Sequence, residues 1–262
     1  MSNEQSTVTR ETRGHVFLIG LNRPEKKNAF TLKMLRELSA AVGEYEADPD
    51  LRVAVLFAHG DVFTSGLDLM DVAPAMSSED GILAAGAVDP LGVHGKSRTK
   101  PLICAVHGLC LTVGIELMLA ADIAVVADNA KLAQIEIKRG IFPFGGASQR
   151  WVAASGWGNA MRWLLTGDEL DGATAYRIGM AQELVPADQV LSRAIEIAET
   201  IAGQAPLGVA ATLQSARLGV EEGHAAAFAQ LTPEIRRLMA TEDAMEGVMS
   251  FMQRRAAVFN GR

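Results

Sequence analysis

Apolar residues in the first half of the chain follow two patterns, short continuous runs and a helical periodicity. Short apolar runs bounded by polar or turn residues favour buried strands. These runs occupy residues 15–21, 53–58, 102–106 and 123–127. A helical spacing is present within 31–46, where the apolar positions are Leu32, Leu35, Leu38, Ala41 and Val42. Because strands alternate with helices, the pattern predicts an α/β fold.

The second half of the chain favours helices, which glycine and proline separate. The predicted helices are 146–154, 159–165, 172–178, 188–202 and the chain after Pro206. The segment 74–99 is rich in Gly, Ala, Ser and Asp and fits neither pattern, so we expect it to be the most mobile part of the chain. The sequence therefore predicts an α/β region followed by a helical carboxyl-terminal third.

Composition indicates a folded protein with one sizeable core, because the chain has 262 residues, 49% of them hydrophobic and 21% charged. The formal net charge of −7 argues against a nucleic-acid-binding surface, which needs clustered lysine and arginine. The first 12 residues are polar, and no apolar run approaches the roughly 18 residues of a membrane span. We therefore expect neither a nucleic-acid partner nor a membrane partner.

The two cysteines, Cys104 and Cys110, both lie in apolar stretches. Two thiols can form neither a disulfide scaffold nor a four-cysteine zinc site, and no paired histidine spacing suggests another metal site. The glycine-rich segments lack both G-x-G-x-x-G after a strand and the lysine of a phosphate-binding loop. These features predict a cytoplasmic protein that holds neither a metal nor a nucleotide cofactor.

Two glutamates lie close to glycine-rich turns in the middle of the chain. Residues 105–117 read Ala-Val-His-Gly-Leu-Cys-Leu-Thr-Val-Gly-Ile-Glu-Leu, which places Glu116 in the first turn of a predicted helix. Gln134-Ile-Glu136 and the glycine-rich segment 140–150 follow. Because a helix amino end leaves N–H groups unpaired, it can stabilise a developing oxyanion beside such an acid. This arrangement suits acyl chemistry.

Each glutamate also has an explanation that involves no catalysis. The helix dipole alone favours an acidic residue at position 116. Glu136 is followed by Lys138 and Arg139, which is typical of a solvated charged segment.

These segments resemble the signatures of the crotonase superfamily, whose members act on acyl-coenzyme A thioesters. Residues 21–30 (LNRPEKKNAF) and 63–69 (FTSGLDL) resemble two further signatures in the order of that family. The resemblance is best to the hydratase branch of the enoyl-CoA hydratase/isomerase family. It implies a crotonase (ClpP-like) spiral of strand–strand–helix units, with a helical carboxyl-terminal region.

The resemblance also implies how the chain is organised. We expect a flexible leader at 1–12, a crotonase core at 13–200 and a helical oligomerisation region at 201–262. Relatives of this kind usually assemble as trimers or paired trimers, so we expect a homotrimer or a dimer of trimers.

The resemblance implies specific roles in the reversible addition of water to a 2-enoyl-CoA, which gives a 3-hydroxyacyl-CoA. The backbone N–H groups of Leu67 and Val113 would form the oxyanion hole. Glu116 would hold and deprotonate the water, and Glu136 would exchange the proton at the α-carbon. Because the two acids share one water, their division of roles is not strict.

The chain departs from the usual hydratase pattern at two places. Thr112-Val113 replaces a glycine pair, which would narrow the pocket while leaving the backbone donor. Phe144 replaces a glycine after Pro143, so its N–H, with Gly145, would position water while its ring would shape the acyl pocket. These departures raise the alternative of a dehydratase for a specialised acyl group, such as a carnitinyl or branched chain.

Coenzyme A carries phosphates, so basic side chains are expected at the rim of its site. By resemblance, the coenzyme-binding residues are Arg23, Lys26, Lys27, Ser65, Leu67, Phe251 and Arg254. Phe251 and Arg254 match a terminal helix that reaches the coenzyme of a neighbouring subunit. A charged stretch on a terminal helix is equally typical of a solvated face.

Two other polar residues near these motifs have structural interpretations. His107 stands beside a turn, where we expect a structural hydrogen bond rather than a general base. We expect Asp68 to cap a helix, next to the first oxyanion donor.

Two rival functions remain open in the sequence. An enoyl-CoA isomerase needs only Glu136 to move a proton, and activity on a 3-enoyl-CoA would distinguish it. A non-catalytic acyl-CoA-binding scaffold would bind thioesters without turnover.

Overall fold

The computed structural model describes residues 6–76 and 82–262 of the chain. Its β-strands are β1 (Val8–Arg13), β2 (Val16–Leu21), β3 (Val53–Ala58), β4 (Leu102–Val106), β5 (Leu109–Leu111), β6 (Ile123–Ala127), β7 (Lys131–Ala133), β8 (Leu170–Asp171) and β9 (Glu183–Val185). Its first five α-helices are α1 (Leu32–Ala47), α2 (Leu69–Met76), α3 (Val113–Ala120), α4 (Ala147–Ser155) and α5 (Trp157–Leu164). The remaining helices are α6 (Gly172–Arg177), α7 (Val190–Ala202), α8 (Pro206–Glu221), α9 (His224–Met239) and α10 (Glu242–Gln253).

The strands form two sheets. A six-stranded sheet has the order β1-β2-β3-β4-β6-β9, and a three-stranded sheet has the order β5-β7-β8. In the large sheet only β1 and β2 pair antiparallel, and the other neighbours are parallel. Parallel strands are covered on both faces, which explains why every residue of β2 and β4 is buried and why both read as continuous apolar runs.

The structure confirms the four strands that the apolar runs predict and most of the helices of the second half. It also confirms an α/β region followed by helices α8 to α10. The unit β4–β5–α3 follows the strand–strand–helix order, and its two strands belong to different sheets.

The amino-terminal segment differs from the prediction. Residues 8–13 form β1, which pairs with β2 along its whole length, so residues 8–12 belong to the sheet rather than to a flexible leader. β1 is an edge strand whose last four residues are exposed. Charged side chains are common on such edges, and the backbone pairing of an edge strand needs no apolar pattern. The apolar pattern of the sequence therefore does not predict this strand. Residues 1–5 of the expected leader lie outside the described residues.

The expected mobile segment 74–99 contains several different structures. Its beginning lies in α2, residues 77–81 lie outside the described residues, and the rest is a loop that Asp89 organises. The carboxylate of Asp89 accepts backbone hydrogen bonds of 2.7–2.9 Å from Leu91, Val93 and His94.

Both cysteines lie inside the core. Cys104 is in β4 and Cys110 is in β5, and neither thiol is exposed to solvent. Burial raises the pKa of both thiols above the usual value.

Among the described residues, no helix combines the length and the apolar character that crossing a membrane requires.

Candidate active site

The amino end of α3 is fixed by a tight approach to the strands around it. The N–H of Thr112 donates to Ala133 of β7, and Thr112 has a φ of +49°. A Cβ atom on Gly114 would lie 2.5 Å from Cγ2 of Thr64, so only glycine fits there. Val113 itself has helical backbone, which a β-branched residue adopts with little cost. The replacement of the glycine pair therefore places the unusual backbone angle on Thr112 and leaves the helix start at Val113 intact.

Two backbone N–H groups near this helix start have no acceptor. Within the described residues, the N–H groups of Leu67 and Val113 donate no hydrogen bond. Leu67 pairs with Phe30 in an isolated parallel bridge, and both Leu67 and Val113 line the same cavity. Unpaired donors at a helix start favour negative charge, as an oxyanion hole requires.

Glu116 lies in the first turn of α3 and is 2% exposed. Its Oε1 accepts a 2.6 Å hydrogen bond from the N–H of Gly145. Burial raises the pKa of Glu116 above its usual value, although hydrogen bonds from the Gly145 and Ala147 N–H groups and the charge of Arg150 oppose that change. A Cβ atom on Gly145 would lie 2.4 Å from Oε2 of Glu116, so the close approach depends on this glycine.

Glu136 begins a short 3-10 helix (Glu136–Arg139) and is 6% exposed. Its Oε1 accepts a 2.9 Å hydrogen bond from Nε2 of Gln134, and its buried Oε2 has no hydrogen-bond partner among the described residues. Burial raises the pKa of Glu136 to about 7, and the negative charge of Glu116 adds to that effect. Near neutral pH this carboxyl group can therefore both release and accept a proton.

Two polar residues that shape this site are not evident from the sequence. Gln134 is 1% exposed, and its Oε1 is also without a partner among the described residues. Arg150 donates to the carbonyl oxygens of Gly145 (3.2 Å) and Gly92 (3.3 Å), and so joins the glycine-rich turn to the loop 82–95. Both residues lie in motifs that the sequence shows, but their partners depend on the folded chain.

A cavity of about 540 Å³ opens beside these groups. Its wall is mostly apolar and includes Leu35, Leu38, Leu67, Leu91, Val113 and Phe144. Glu116 lines the cavity, whereas Glu136 does not. Phe144 also lines the cavity. Its N–H donates no hydrogen bond within the described residues, while the N–H of Gly145 holds Glu116.

The predicted coenzyme residues near the amino end cluster beside Leu67. Lys26 and Lys27 are exposed at a short 3-10 helix, and the N–H of Ser65 donates to the carbonyl oxygen of Lys27. Arg23 forms an ion pair with Asp68 at 3.2 Å. The backbone of Asp68 precedes α2, and its carbonyl oxygen accepts from the first turn of that helix.

The two carboxyl-terminal candidates are not brought to this cluster. Phe251 is 85% exposed on α10, and Arg254 ends that helix. Neither residue lines the cavity beside Glu116.

His107 has the structural hydrogen bond that we expected, since its Nε2 lies 2.8 Å from the carbonyl oxygen of Gly60. Within the described residues, no group of three or more His, Cys, Asp or Glu side chains could hold a metal ion.

Comparisons with known proteins agree with this geometry. The sequence model of the family described as enoyl-CoA hydratase/isomerase matches residues 11–262. The enoyl-CoA hydratase EchA19 of Mycobacterium tuberculosis is 34% identical over 255 residues, which cover 96% of both chains. A carnitinyl-CoA dehydratase of Proteus mirabilis is 32% identical over 256 residues, which cover 96% of this chain and 97% of the relative. These relatives are similar to the chain over nearly their full length.

A solved structure is closer still. The crystal structure of a probable enoyl-CoA hydratase/isomerase from Mycobacterium abscessus has a TM-score of 0.94 and 52% identity, covering 98% of this chain and 99% of that one. The crotonase fold and the hydratase function that the sequence predicts are confirmed by these comparisons. The chain belongs to the enoyl-CoA hydratase/isomerase family of the crotonase superfamily.

Proposed function

We propose that the chain adds water reversibly to a 2-enoyl-CoA through Glu116, Glu136 and the N–H groups of Leu67 and Val113. One observation supports the proposal above all. The N–H groups of Leu67 and Val113, which have no acceptor within the described residues, and the buried Glu116 all line one cavity. The thioester oxygen accepts from both N–H groups, which stabilise the negative charge that develops on it during the reaction.

The two glutamates divide the proton transfers. Glu116 takes a proton from water as the water oxygen bonds to the β-carbon, and the electrons of the double bond move into the thioester as an enolate. Glu136 then gives a proton to the α-carbon, which completes the 3-hydroxyacyl-CoA. The reverse sequence removes water. The raised pKa of Glu136, about 7, supports its role because the protonated form is populated at neutral pH.

Coenzyme A is placed at the rim that Arg23, Lys26, Lys27 and Ser65 form beside Leu67. Exposed lysines there can pair with phosphates without loss of an internal contact. Phe251 and Arg254 would contact the coenzyme bound to a neighbouring subunit, which accounts for an aromatic ring that is 85% exposed in one chain. The assembly is a homotrimer or a dimer of trimers.

The addition of water changes no net oxidation state, and the backbone N–H groups and carboxyl groups supply all its proton and charge transfers. We therefore propose that the reaction uses the coenzyme A thioester as substrate and requires no cofactor or metal. The buried free thiols support a cytoplasmic location.

Two other activities are alternatives within this fold. Isomerisation of a 3-enoyl-CoA needs one proton carrier. Oε2 of Glu136, which has no hydrogen-bond partner among the described residues, favours such a role. A carnitinyl-CoA dehydratase is among the relatives, which favours a specialised acyl group. Glu116 at the cavity supports hydration over isomerisation, because a second acid is needed to activate water.

The decisive measurement is the loss of absorbance of the conjugated thioester when the purified protein meets a 2-enoyl-CoA. We expect Glu116→Gln to lower the rate by about 100- to 10,000-fold, the usual contribution of a positioned acid or base. The exposed Glu222→Gln, which makes the same chemical change elsewhere, should retain full activity.

Three results would contradict the proposal. Full activity in Glu116→Gln would exclude the mechanism. Faster conversion of a 3-enoyl-CoA than of a 2-enoyl-CoA would favour the isomerase. Thioester binding without turnover of any substrate would favour an acyl-CoA-binding scaffold.

A further inference from the structure

The cavity beside Glu116 is large enough to enclose much more than a short acyl group. Its volume of about 540 Å³ lies within the roughly 300–1,000 Å³ of sites that hold whole small molecules. Its walls come from α1, the loop 82–95 and α3, together with Phe144. Apart from the two oxyanion donors and Glu116, the wall is built largely from leucine, isoleucine and alanine side chains.

The position of this cavity identifies it as the acyl side of the site. Leu67 and Val113 both line it, so a thioester oxygen that accepts from their N–H groups lies at its wall. The basic residues of the proposed coenzyme rim, Arg23, Lys26 and Lys27, do not line it. The thioester therefore joins a coenzyme outside the cavity to an acyl chain inside it.

The size of the cavity disfavours the shortest substrates. A crotonyl group has only one methyl group beyond the reacting double bond, so most of the cavity would remain unfilled by it. Apolar cavities hold water poorly, and each methylene that enters such a site contributes about fourfold to binding. A longer or bulkier acyl group gains this contribution along the walls that Leu35 and Leu91 provide.

The charge of the wall disfavours acyl groups with an ionised end. Among the described residues that line the cavity, none is lysine or arginine, and the titratable ones are Glu116, Asp89 and His94. Asp89 is 4% exposed, and its carboxylate accepts hydrogen bonds from three backbone N–H groups, so almost none of its surface is open to a cationic substrate. A carboxylate at the end of an acyl chain would lie near Glu116 and Asp89, which repel it, and no lysine or arginine of the described lining would pair with it.

We propose that the acyl site selects neutral, apolar acyl groups considerably longer than crotonyl, with Leu35 and Ala87 as specificity-determining residues. This inference rests on the proposed function, because it takes Leu67 and Val113 as the thioester-binding end. Leu35 lies on helix α1, and Ala87 lies in the loop 82–95, so the two residues test walls that come from two different elements.

The test measures the affinity of the full-length protein for saturated acyl-CoAs by calorimetry. Decanoyl-CoA should bind at least about 100-fold more tightly than butyryl-CoA. Leu35→Phe and Ala87→Phe should each weaken the binding of decanoyl-CoA by about tenfold or more, because the larger side chain fills space that the long acyl chain needs. The affinity for butyryl-CoA should stay nearly unchanged. Ala40→Phe adds the same ring at an exposed position of α1 and should change neither affinity.

The same calorimetry measures the affinity for two charged compounds, a carboxylated six-carbon acyl-CoA and a carnitinyl-CoA. Tighter binding of either charged group than of decanoyl-CoA would overturn the proposal. Equal affinity for butyryl- and decanoyl-CoA, or variants that weaken both alike, would also overturn it.

Hydration of but-2-enoyl- and dec-2-enoyl-CoA is measured on the same samples. Tight, Leu35-dependent binding of decanoyl-CoA without any hydration would defeat the proposed function but support the acyl selectivity. Rapid hydration together with equal affinity for both chain lengths would support the proposed function and overturn the acyl selectivity.

Discussion

The carboxyl group of Glu136 is balanced between its acid and base forms by opposing effects in its surroundings. Burial and the charge of Glu116 raise its pKa, while the amide of Gln134 donates to Oε1 and lowers it. A hydrogen bond from its own backbone also lowers the pKa, and the net result is a pKa of about 7. In the proposed mechanism, Gln134 would act on the reaction through Glu136, as a positioning residue that also sets the pH range.

Replacement of the amide should change the pH profile. In Gln134→Leu, loss of the donated hydrogen bond should raise the pKa of Glu136 above 7, because the ionised form loses a partner. In the proposed mechanism, hydration needs protonated Glu136 and declines as pH rises through its pKa, so the alkaline limb of kcat should move to higher pH. The rate at the optimum should fall by about tenfold, because the carboxyl group is no longer held.

The exposed Gln189→Leu provides the control and should leave the pH profile unchanged. An alkaline limb that stays in place or moves to lower pH in Gln134→Leu would show that the amide does not control this titration.

At the scale of elements, the site depends on α3 meeting the glycine-rich turn before α4. The N–H of Gly145 reaches Glu116 only because no Cβ atom separates them. Arg150 of α4 holds the carbonyl oxygen of the same glycine. The carboxylate of Glu116 is therefore oriented by a backbone N–H from a segment 29 positions away in the chain.

Gly145→Ala should separate these two elements. The added methyl group would lie 2.4 Å from Oε2 of Glu116, so the carboxylate or the turn must move. We expect hydration to fall by about 100-fold or more, while coenzyme A binding, which uses another part of the site, changes little. Steady-state kinetics and calorimetry with the free coenzyme measure the two effects.

Gly158→Ala is the matched control, because nothing lies within 4 Å of the added methyl group in helix α5. It should keep full activity and gain up to about 1 kcal/mol of stability from the helix propensity of alanine. Unimpaired hydration in Gly145→Ala would show that Glu116 does not need the Gly145 N–H.

How far the sequence predicts these elements depends on what each one buries. β2 and β4 are covered on both faces, so their apolar runs identify them, whereas the edge strand β1 carries charged residues and is hidden. Glu116 and Glu136 are identified because they and the glycine turns near them match the signatures of the family that the chain resembles. Gln134 and Arg150 are not, because their partners come together only when distant segments pack.

At the scale of the whole molecule, α9 presents an apolar stripe to solvent. Phe228, Leu231, Ile235 and Met239 repeat at helical spacing and are each about half exposed or more. Single chains rarely expose so continuous an apolar face, and such faces mark contacts with other chains. The stripe supports the proposed oligomer, in which α9 packs against a second copy.

A charge within the stripe should disrupt the assembly. Ile235→Asp would bury a carboxylate in the contact, which costs several kcal/mol, so we expect smaller species in analytical ultracentrifugation. The affinity for coenzyme A should fall as well, because Phe251 and Arg254 of a neighbouring chain would no longer reach the coenzyme.

Gln230→Asp adds a charge to the polar face of the same helix and should leave the assembly intact. An unchanged sedimentation profile for Ile235→Asp would place the subunit contact on another surface.

The complete burial of both thiols has a consequence for an enzyme whose substrates are thioesters. A thioester passes its acyl group to an accessible thiolate by simple exchange, which would leave the protein acylated and inactive. Cys104 and Cys110 are the only cysteines of the chain; both are shielded by the core, and their raised pKa keeps them protonated. The folded protein therefore offers its substrates no thiolate to which the acyl group could pass.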